Sequence, residues 1–297
     1  MICTLCPRLC SAERTEDTGG GFCGMPAAPV LARAALHHFE EPCISGYNGA
    51  GAVFFSGCNL GCVFCQNGSI SHERFGEAIS TARLREIFLE LKAAGAHNLD
   101  LVSATQFIPR VIEALGGGVG LPVIWNTGGY ERIESLRMLE GKVDVYLPDL
   151  KYADGNLAKR YSHAEDYPAR AEEAILEMFR QTGPYRINDD GLIEQGVLIR
   201  HMMLPGELNN TRQVIDFIAG HFRPGEVLFS LMRQYTPQAN AEGKLARKVS
   251  GAEYRAALQY MENCGITDGY IQDAASIGAG FTPAFDLTGV RQAAVEY

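Results

Sequence analysis

From residue 52 onward, short apolar runs alternate with longer segments whose apolar residues recur at helical spacing. The run at residues 52–55 (Ala-Val-Phe-Phe) lies between glycines and predicts a buried strand. Between Leu84 and Leu91, apolar side chains fall at i, i+3, i+4 and i+7, which predicts an amphipathic helix that ends at Gly95. Further strands are predicted at residues 98–102, 121–125, 143–147, 196–203, 227–232 and 270–271. Further helices are predicted at residues 107–115, 131–139, 156–181 with a break near Pro168, 210–221, and 250–264 behind a Ser250–Glu253 capping box.

The alternation amounts to six strand–helix units and predicts an α/β fold. Strands that are joined through helices pair in parallel, with right-handed crossovers. The pattern alone allows a barrel or a doubly wound sheet. The length of 297 residues and the 46% hydrophobic content fit one barrel with appendages.

Three cysteines follow the first predicted strand with C-x3-C-x2-C spacing: Cys58, Cys62 and Cys65. Three thiolates so close in sequence can hold three corners of a cubane iron–sulfur cluster and leave the fourth iron open for a substrate or cofactor. An electron-transfer cluster would need a fourth cysteine, and a zinc ribbon would need paired C-x2-C motifs. The spacing therefore predicts a 4Fe–4S cluster with one open iron, and a structural metal site is the alternative.

Composition argues against several classes of function. The net charge is −9, and no run of Lys or Arg could follow a phosphate backbone, so we expect no nucleic-acid partner. No stretch approaches the ~20 apolar residues of a membrane span or the hydrophobic run of a signal peptide, which predicts a cytoplasmic protein without a membrane partner. All nine cysteines except Cys264 lie in the first 65 residues, as expected for metal ligation in a reducing compartment.

Residues 1–50 are predicted to form a separate cysteine-rich segment. Four cysteines fall close together in a stretch with little apolar periodicity, so a metal would replace a hydrophobic core there: Cys3, Cys6, Cys10 and Cys23. A second iron–sulfur cluster, a structural zinc and unmetallated thiols all stay open, because four cysteines bind either metal.

Polar residues follow the later strands at the points where each strand ends. The carboxyl ends of parallel barrel strands face one cavity, so these residues are expected to line it: Thr105, Asn126, Thr127, Asp149 and Lys151 past their strands, and Arg200 within its own strand. For any one of them alone, a role in a turn or helix cap is the alternative. Strand alternation lets only one of Arg200 and His201 face the barrel interior, and we predict Arg200.

These stretches resemble the radical S-adenosylmethionine (SAM) superfamily, and within it the pyruvate formate-lyase activating enzyme and a branch of poorly characterised homologues. The resemblance covers nearly the whole chain and rests on the three-cysteine loop with its Phe64, and on residues 3–10, 126–131, 147–152 and 199–206. It implies a partial (β/α)6 TIM-like barrel of the radical SAM type over residues 51–297, with the N-terminal cysteine-rich metal-binding extension at residues 1–50.

The resemblance also implies roles for individual residues. In the activating enzymes, the positions that match Asp149 and Lys151 contribute to the SAM or associated cation site, and the position that matches Arg200 lies against SAM. Asn126 and Thr127 fall where that family places part of the cation site. The usual aspartate of that site is Asn126 here, which removes one negative charge.

A second departure concerns the methionyl amine of SAM. The superfamily commonly binds this amine with Gly-Gly-Glu after the second strand, whereas this chain has Ser103, Ala104 and Thr105 there. The Thr105 hydroxyl and backbone carbonyls are the expected acceptors, and the carboxylate is lost.

The implied activity is reductive cleavage of SAM to methionine and a 5′-deoxyadenosyl radical, which takes hydrogen from a substrate. A low-potential donor such as flavodoxin or ferredoxin would supply the electron, and initiation needs no acid–base pair. The substrate is open between a loop of a glycyl radical enzyme and a small molecule or peptide. A non-catalytic iron–sulfur redox or sensing protein is the alternative outside enzymology.

Overall fold

The structure of the chain is a computed structural model that describes residues 2–239, 241–272 and 282–291. Within these residues, ten strands form one sheet in the order β10-β9-β8-β6-β5-β4-β2-β1-β3, with β7 paired to β8. The strands are β1 (Val30–His37), β2 (Ala50–Phe55), β3 (Glu77–Ala78), β4 (Leu99–Val102), β5 (Val123–Thr127), β6 (Val145–Pro148), β7 (Arg186–Ile187), β8 (Ile193–Met202), β9 (Leu228–Met232) and β10 (Gly269–Ile271).

Seven of these strands, from β2 to β10 without β3 and β7, pair in parallel. Their order in the sheet equals their order in the chain, so every crossover moves in the same direction. A doubly wound sheet would reverse direction at a switch point, so that alternative is wrong for this chain. The predicted partial TIM-like barrel is confirmed, with open edges at β3 and β10.

The helices connect successive strands and cover the sheet. They are α1 (Pro42–Ser45), α2 (Gly68–Ser71), α3 (Thr81–Ala93), α4 (Ile108–Leu115), α5 (Ile133–Met138), α6 (Gly155–Ser162), α7 (Tyr167–Thr182), α8 (Leu208–His221) and α9 (Gly251–Asn263). The predicted apolar stripe of α3 is buried as expected. The capping box at the start of α9 is present, since Ser250 and Glu253 exchange hydrogen bonds. Across the part of the chain that the structure describes, no helix has the length and apolar character to cross a membrane.

Sequence patterning missed the first strand. β1 pairs antiparallel with β2 and carries the sheet beyond the predicted barrel strands. Its segment is rich in alanine and has one charged residue, Arg33, so it lacks the regular alternation that identifies a half-buried strand. β1 is buried because it pairs with β2, and the local pattern of apolar residues does not indicate that pairing.

Before β1, the cysteine-rich segment packs against the barrel through polar contacts with backbone carbonyls. The buried Arg14 donates to the carbonyl oxygen of Gln106 at 2.8 Å, and Ser135 Oγ donates to that of Leu5 at 2.7 Å. Arg132 donates to the carbonyl oxygen of Thr4 at 2.5 Å. The segment is therefore attached to the barrel at the carboxyl ends of β4 and β5.

Candidate functional site

The three-cysteine loop leaves β2 at the carboxyl edge of the sheet and turns sharply at two glycines. Gly57 and Gly61 have φ values of 78° and 65°, a region that side chains with a Cβ rarely adopt. The loop closes on itself through a hydrogen bond from Cys65 N to Cys62 O at 3.0 Å. These turns bring the three cysteines to one side of the loop.

The loop sulfurs accept hydrogen bonds from neighbouring donors. Ser162 Oγ donates to Cys62 Sγ at 2.9 Å, Ser71 Oγ donates to Cys65 Sγ at 3.2 Å, and Leu60 N donates to Cys58 Sγ at 3.3 Å. Burial raises the pKa of the Cys62 thiol to about 12. A metal bound here would have to displace the proton of this thiol, and the Ser162 hydroxyl would then stabilise the charge of the thiolate.

A cavity of about 150 Å³ lies beside the loop and joins every predicted ligand of the cluster and of SAM. Its wall includes the three cysteines and the six strand-end residues, Thr105, Asn126, Thr127, Asp149, Lys151 and Arg200. A second cavity of about 470 Å³ shares Cys62, Cys65 and part of this floor and continues toward residues 37–42 and β10. The parallel sheet thus gathers nine residues that are spread over more than 140 positions of sequence.

Asp149 lies between two cations on the cavity floor. Arg200 Nε is 3.0 Å from Asp149 Oδ1, and Lys151 Nζ pairs with Asp149 Oδ2. Burial by itself would raise the pKa of Asp149, but Lys151 and Arg200 together hold it below the usual range. This carboxylate therefore stays ionised and fixes both cations in the cavity wall.

Two further carboxylates approach Arg200 from the other side, and sequence analysis assigned neither of them a role. Glu40 Oε2 is 2.8 Å from Arg200 Nη1, and Glu41 Oε2 is 3.9 Å from it. Both follow β1, the strand that local patterning missed. Burial raises the pKa of Glu40 and Glu41, and Arg200 opposes that effect.

Asn126 stands where the resemblance implies an aspartate, and its amide connects the groups around it. Asn126 Oδ1 accepts from Arg200 Nη2 at 2.7 Å, and Asn126 Nδ2 donates to Asp100 Oδ2 at 3.3 Å. Burial raises the pKa of Asp100 well above its usual value, and Glu40 adds to this effect. The amide of Asn126 thus links Arg200 to a buried carboxyl group of β4.

The structure supplies a carboxylate next to Thr105, at the point where the sequence lacks Gly-Gly-Glu. Glu131 is 1% exposed, and its Oε1 accepts from Thr105 Oγ1 at 2.5 Å and from the Thr127 hydroxyl. Burial raises the pKa of Glu131 to about 7, against the lowering effect of the two hydroxyls. The sequence placed Glu131 at the start of a helix, and only the fold brings it under the cavity.

His201 lies on the opposite side of β8 from Arg200. It is fully buried, its Nδ1 is 2.6 Å from Leu150 O, and its Nε2 is 3.0 Å from Thr211 Oγ1. Burial lowers the pKa of His201 to about 4, so the ring is neutral at pH 7. Its contacts join the sheet to α8.

The N-terminal cysteines lie near one another outside the barrel. The thiols of Cys3 and Cys23 both raise the pKa of Cys6 electrostatically, and Cys3 and Cys10 raise that of Cys23. Desolvation is the larger cause in each case and brings the pKa of Cys6 to about 12. Cys3, Cys6 and Cys10 are thus each close enough to Cys23 to affect its electrostatics or to be affected by it, and a second metal centre there stays a prediction.

The cysteine geometry bears on which metal fits. Among residues 2–239, 241–272 and 282–291, no group of three or more Cys, His, Asp or Glu side chains is arranged to hold one metal ion. A cubane cluster binds each thiolate through a different iron, so its ligands need not converge on one point. Three thiols beside a cavity, with hydroxyl and amide donors to their sulfurs, fit such a cluster.

Comparisons with known proteins complete the description of the site. No protein-family model matches the chain. An uncharacterized protein of Methanocaldococcus jannaschii is 26% identical over 272 residues, covering 88% of this chain and 74% of that protein.

Two solved structures are similar at lower identity. Streptococcus suis SuiB bound to S-adenosylmethionine is 13% identical with a TM-score of 0.48, over 74% of this chain. The chain spans 49% of SuiB, about half its length. A domain of the pyruvate-formate lyase-activating enzyme from Bacteroides vulgatus is 12% identical with a TM-score of 0.38, over 65% of this chain and 91% of that domain.

Proposed function

We propose that this chain is a radical SAM enzyme, which cleaves S-adenosylmethionine reductively at a 4Fe–4S cluster bound by Cys58, Cys62 and Cys65. The observation that carries the proposal is the cavity in which these cysteines meet all six candidate SAM ligands. Three thiol ligands without a fourth leave one iron open, which is the arrangement of a catalytic rather than a structural metal centre. When bound, the cluster and SAM together supply a 5′-deoxyadenosyl radical.

Residues on opposite sides of the cavity are placed to hold the cluster and SAM next to each other. The loop cysteines would bind the cluster at the carboxyl end of β2, and donors such as Ser162 would stabilise the thiolate charge. Across the cavity, Asp149 keeps Lys151 and Arg200 ionised and fixed in place. These cations suit the methionyl carboxylate of SAM, and Asp149 suits its amine or an associated cation.

Thr105 and Thr127 suit the amine as well, because Glu131 orients their hydroxyl groups. Both hydroxyls donate to Glu131 Oε1, so Thr105 Oγ1 keeps lone pairs for a donor in the cavity, and Thr127 Oγ1, which also accepts from Gly129 N at 3.3 Å, keeps one. An ammonium group has three donors and no acceptor, which matches this arrangement. The buried carboxylate thus takes over part of the role of the missing Gly-Gly-Glu.

The substrate is assigned only by class. The cavity of about 470 Å³ beside the cluster loop leaves room for a group that gives up hydrogen. A loop of a glycyl radical enzyme is one candidate, and a small molecule or peptide is the other. Flavodoxin or ferredoxin would supply the electron in either case.

Anaerobic reconstitution tests the proposal. The reconstituted protein, given SAM and dithionite, should form 5′-deoxyadenosine and methionine, and the Cys58→Ala/Cys62→Ala/Cys65→Ala protein should form neither. A cluster that assembles on wild-type protein without any SAM cleavage would favour the redox or sensing alternative. If SAM is cleaved, a glycyl-radical signal on adding a candidate partner would distinguish an activating enzyme from one that acts on a small molecule or peptide.

A further inference from the structure

The N-terminal segment places one arginine against the three-cysteine loop. Arg8 lies in the turn between Cys6 and Cys10, where Leu9 N donates to Cys6 O at 3.1 Å. Its guanidinium contacts the loop that lies about 50 positions later in the sequence. Arg8 Nε donates to the carbonyl oxygen of Asn59 at 2.8 Å. Its Nη2 donates to the carbonyl oxygen of Leu60 at 3.2 Å. Both acceptors lie between the first two cysteines of the loop.

The same guanidinium also binds the end of α6. Nη2 donates to the carbonyl oxygen of Ser162 at 2.9 Å, and Nη1 donates to that of His163. The final carbonyls of a helix have no partner within the helix and carry partial negative charge, so a cation there is stabilising. Arg8 therefore joins the carboxyl end of α6 to the cysteine loop.

This junction lies close to the ligands of the proposed cluster. Ser162, whose carbonyl accepts from Arg8, also donates its hydroxyl to Cys62 Sγ at 2.9 Å. Val63 N, next to Cys62 in the chain, donates to Tyr161 O at 2.9 Å. The loop and the helix end thus meet in one hydrogen-bonded unit, and Arg8 is the cation within it.

Aromatic side chains fix the guanidinium in its position. The Cζ atom of Arg8 lies 3.9 Å from the ring centroid of Phe22 and 5.3 Å from that of Tyr130. Asn59 Nδ2 donates to the carbonyl oxygen of Tyr130 at 2.7 Å, which ties the loop to the segment that follows β5. A planar guanidinium can stack on rings and donate to several carbonyls at once, whereas a lysine ammonium cannot reproduce that geometry.

We propose that Arg8 is a positioning residue for the three-cysteine loop, through which the N-terminal cysteine segment sets the placement of Cys58 and Cys62. The inference rests on the proposed function for its consequence, since the loop would hold the catalytic cluster. It gives the N-terminal segment a role at this site whichever metal, or none, that segment binds. Ordering the Cys6–Cys10 turn fixes Arg8, and Arg8 fixes the loop.

Hydrogen–deuterium exchange on the full chain as purified tests the positioning directly. In Arg8→Ala, peptides that contain Val63 and residues 58–62 should exchange ~10-fold faster, the change expected for the loss of a charge-assisted hydrogen bond. Arg8→Lys should not restore protection. Arg132→Ala is the matched control, because Arg132 also donates to a carbonyl of the N-terminal segment, that of Thr4, and its ion-pair partner Glu134 lies on α5 and not in the loop.

A second measurement separates positioning from general loosening. The midpoint potential of the reconstituted cluster should become more negative in Arg8→Ala, because removing a nearby positive charge favours the oxidised cluster, and it should be unchanged in Arg132→Ala. Equal loop exchange in Arg8→Ala and wild type would overturn the inference, as would equally faster loop exchange in the Arg132 control. If the wild-type chain assembles no cluster, the proposed function fails, while the exchange experiment still decides the role of Arg8.

Discussion

Two groups of cysteines lie within the first 65 residues, and the fold treats them differently. The loop cysteines follow β2, the first of the parallel strands, and line a cavity with charged and hydroxyl side chains. The N-terminal cysteines lie in a segment that contacts the barrel through side-chain hydrogen bonds to backbone carbonyls and through the buried Met25. The comparison shows what each kind of sequence signal predicts. Closely spaced cysteines predict a metal site, whereas charged and hydroxyl side chains around such a site indicate that it can bind a cofactor and carry out a reaction.

Removal of one loop ligand gives the largest expected effect. Cys62→Ala should abolish 5′-deoxyadenosine formation under dithionite, because the proposed cluster would lose one of its three ligands, a buried cysteine whose sulfur accepts from Ser162. Cys264→Ala, at the end of α9, is the matched control and should keep full turnover. Unchanged turnover in Cys62→Ala would remove the basis for the proposed function.

Metal counts on the N-terminal cysteines sharpen the comparison next. In Cys58→Ala/Cys62→Ala/Cys65→Ala protein purified anaerobically, any remaining metal belongs to Cys3, Cys6, Cys10 and Cys23. About four irons with sulfide would indicate an auxiliary cluster, and about one zinc a structural site. We expect one of these centres, with iron–sulfur favoured, and loss of order in residues 1–30 when its ligands are removed. A protein with neither metal would refute a second centre.

The charged cavity floor should contribute a smaller, graded effect. Asp149→Ala, Lys151→Ala and Arg200→Ala should each keep the absorbance of the cluster but weaken SAM binding by ~1–3 kcal/mol, the cost of a lost charged hydrogen bond. Titration calorimetry with SAM measures the change, and Lys159→Ala, an exposed cation on α6, serves as the control. Wild-type affinity in all three variants would show that these residues do not bind SAM.

The smallest effect expected is a pH dependence from Glu131. Its pKa rises from 4.5 to about 7 in the fold, so its stabilising contribution is complete below pH 4.5 and is lost as the pH rises through about 7. Relative to Glu131→Gln, the wild-type Tm should therefore fall by a few degrees between pH 5 and pH 8, as estimated for a chain of this size. The exposed Glu134→Gln on α5 should show no such difference. A pH-independent difference between Glu131→Gln and wild type would contradict the buried, titrating carboxylate.

Most of the barrel could be predicted from the sequence because the apolar residues of each strand–helix unit recur at the spacing of a strand or a helix. The predicted strands and helices recur in the structure with shifts of a few residues at their ends, as for β5 at Val123–Thr127. The strand-end residues could be predicted because parallel strands bring their carboxyl ends to one edge. The alternation of β8 likewise put Arg200, and not His201, in the cavity wall.

What the sequence could not provide depends on contacts between distant residues. Glu40 reaches Arg200 across 160 positions because β1 adds to the sheet beside β2. Glu131 contacts Thr105, which lies 26 positions earlier in the sequence, and the residues around Glu131 locally predict only the start of a helix. Arg8 was part of a recognisable cysteine motif, but its acceptors are backbone carbonyls, which no residue type in the sequence marks.

The open iron is the central claim, and magnetic resonance of the reduced protein tests it most directly. The resemblance implies that the amine and carboxylate of SAM chelate the open iron, with the carboxylate also in reach of Lys151 and Arg200. The account therefore predicts that SAM with an isotopically labelled methionyl carboxylate gives a hyperfine coupling to the reduced cluster. The coupling should disappear in Cys58→Ala/Cys62→Ala/Cys65→Ala protein. A fully assembled, reduced wild-type cluster that shows no coupling to saturating labelled SAM would contradict the account.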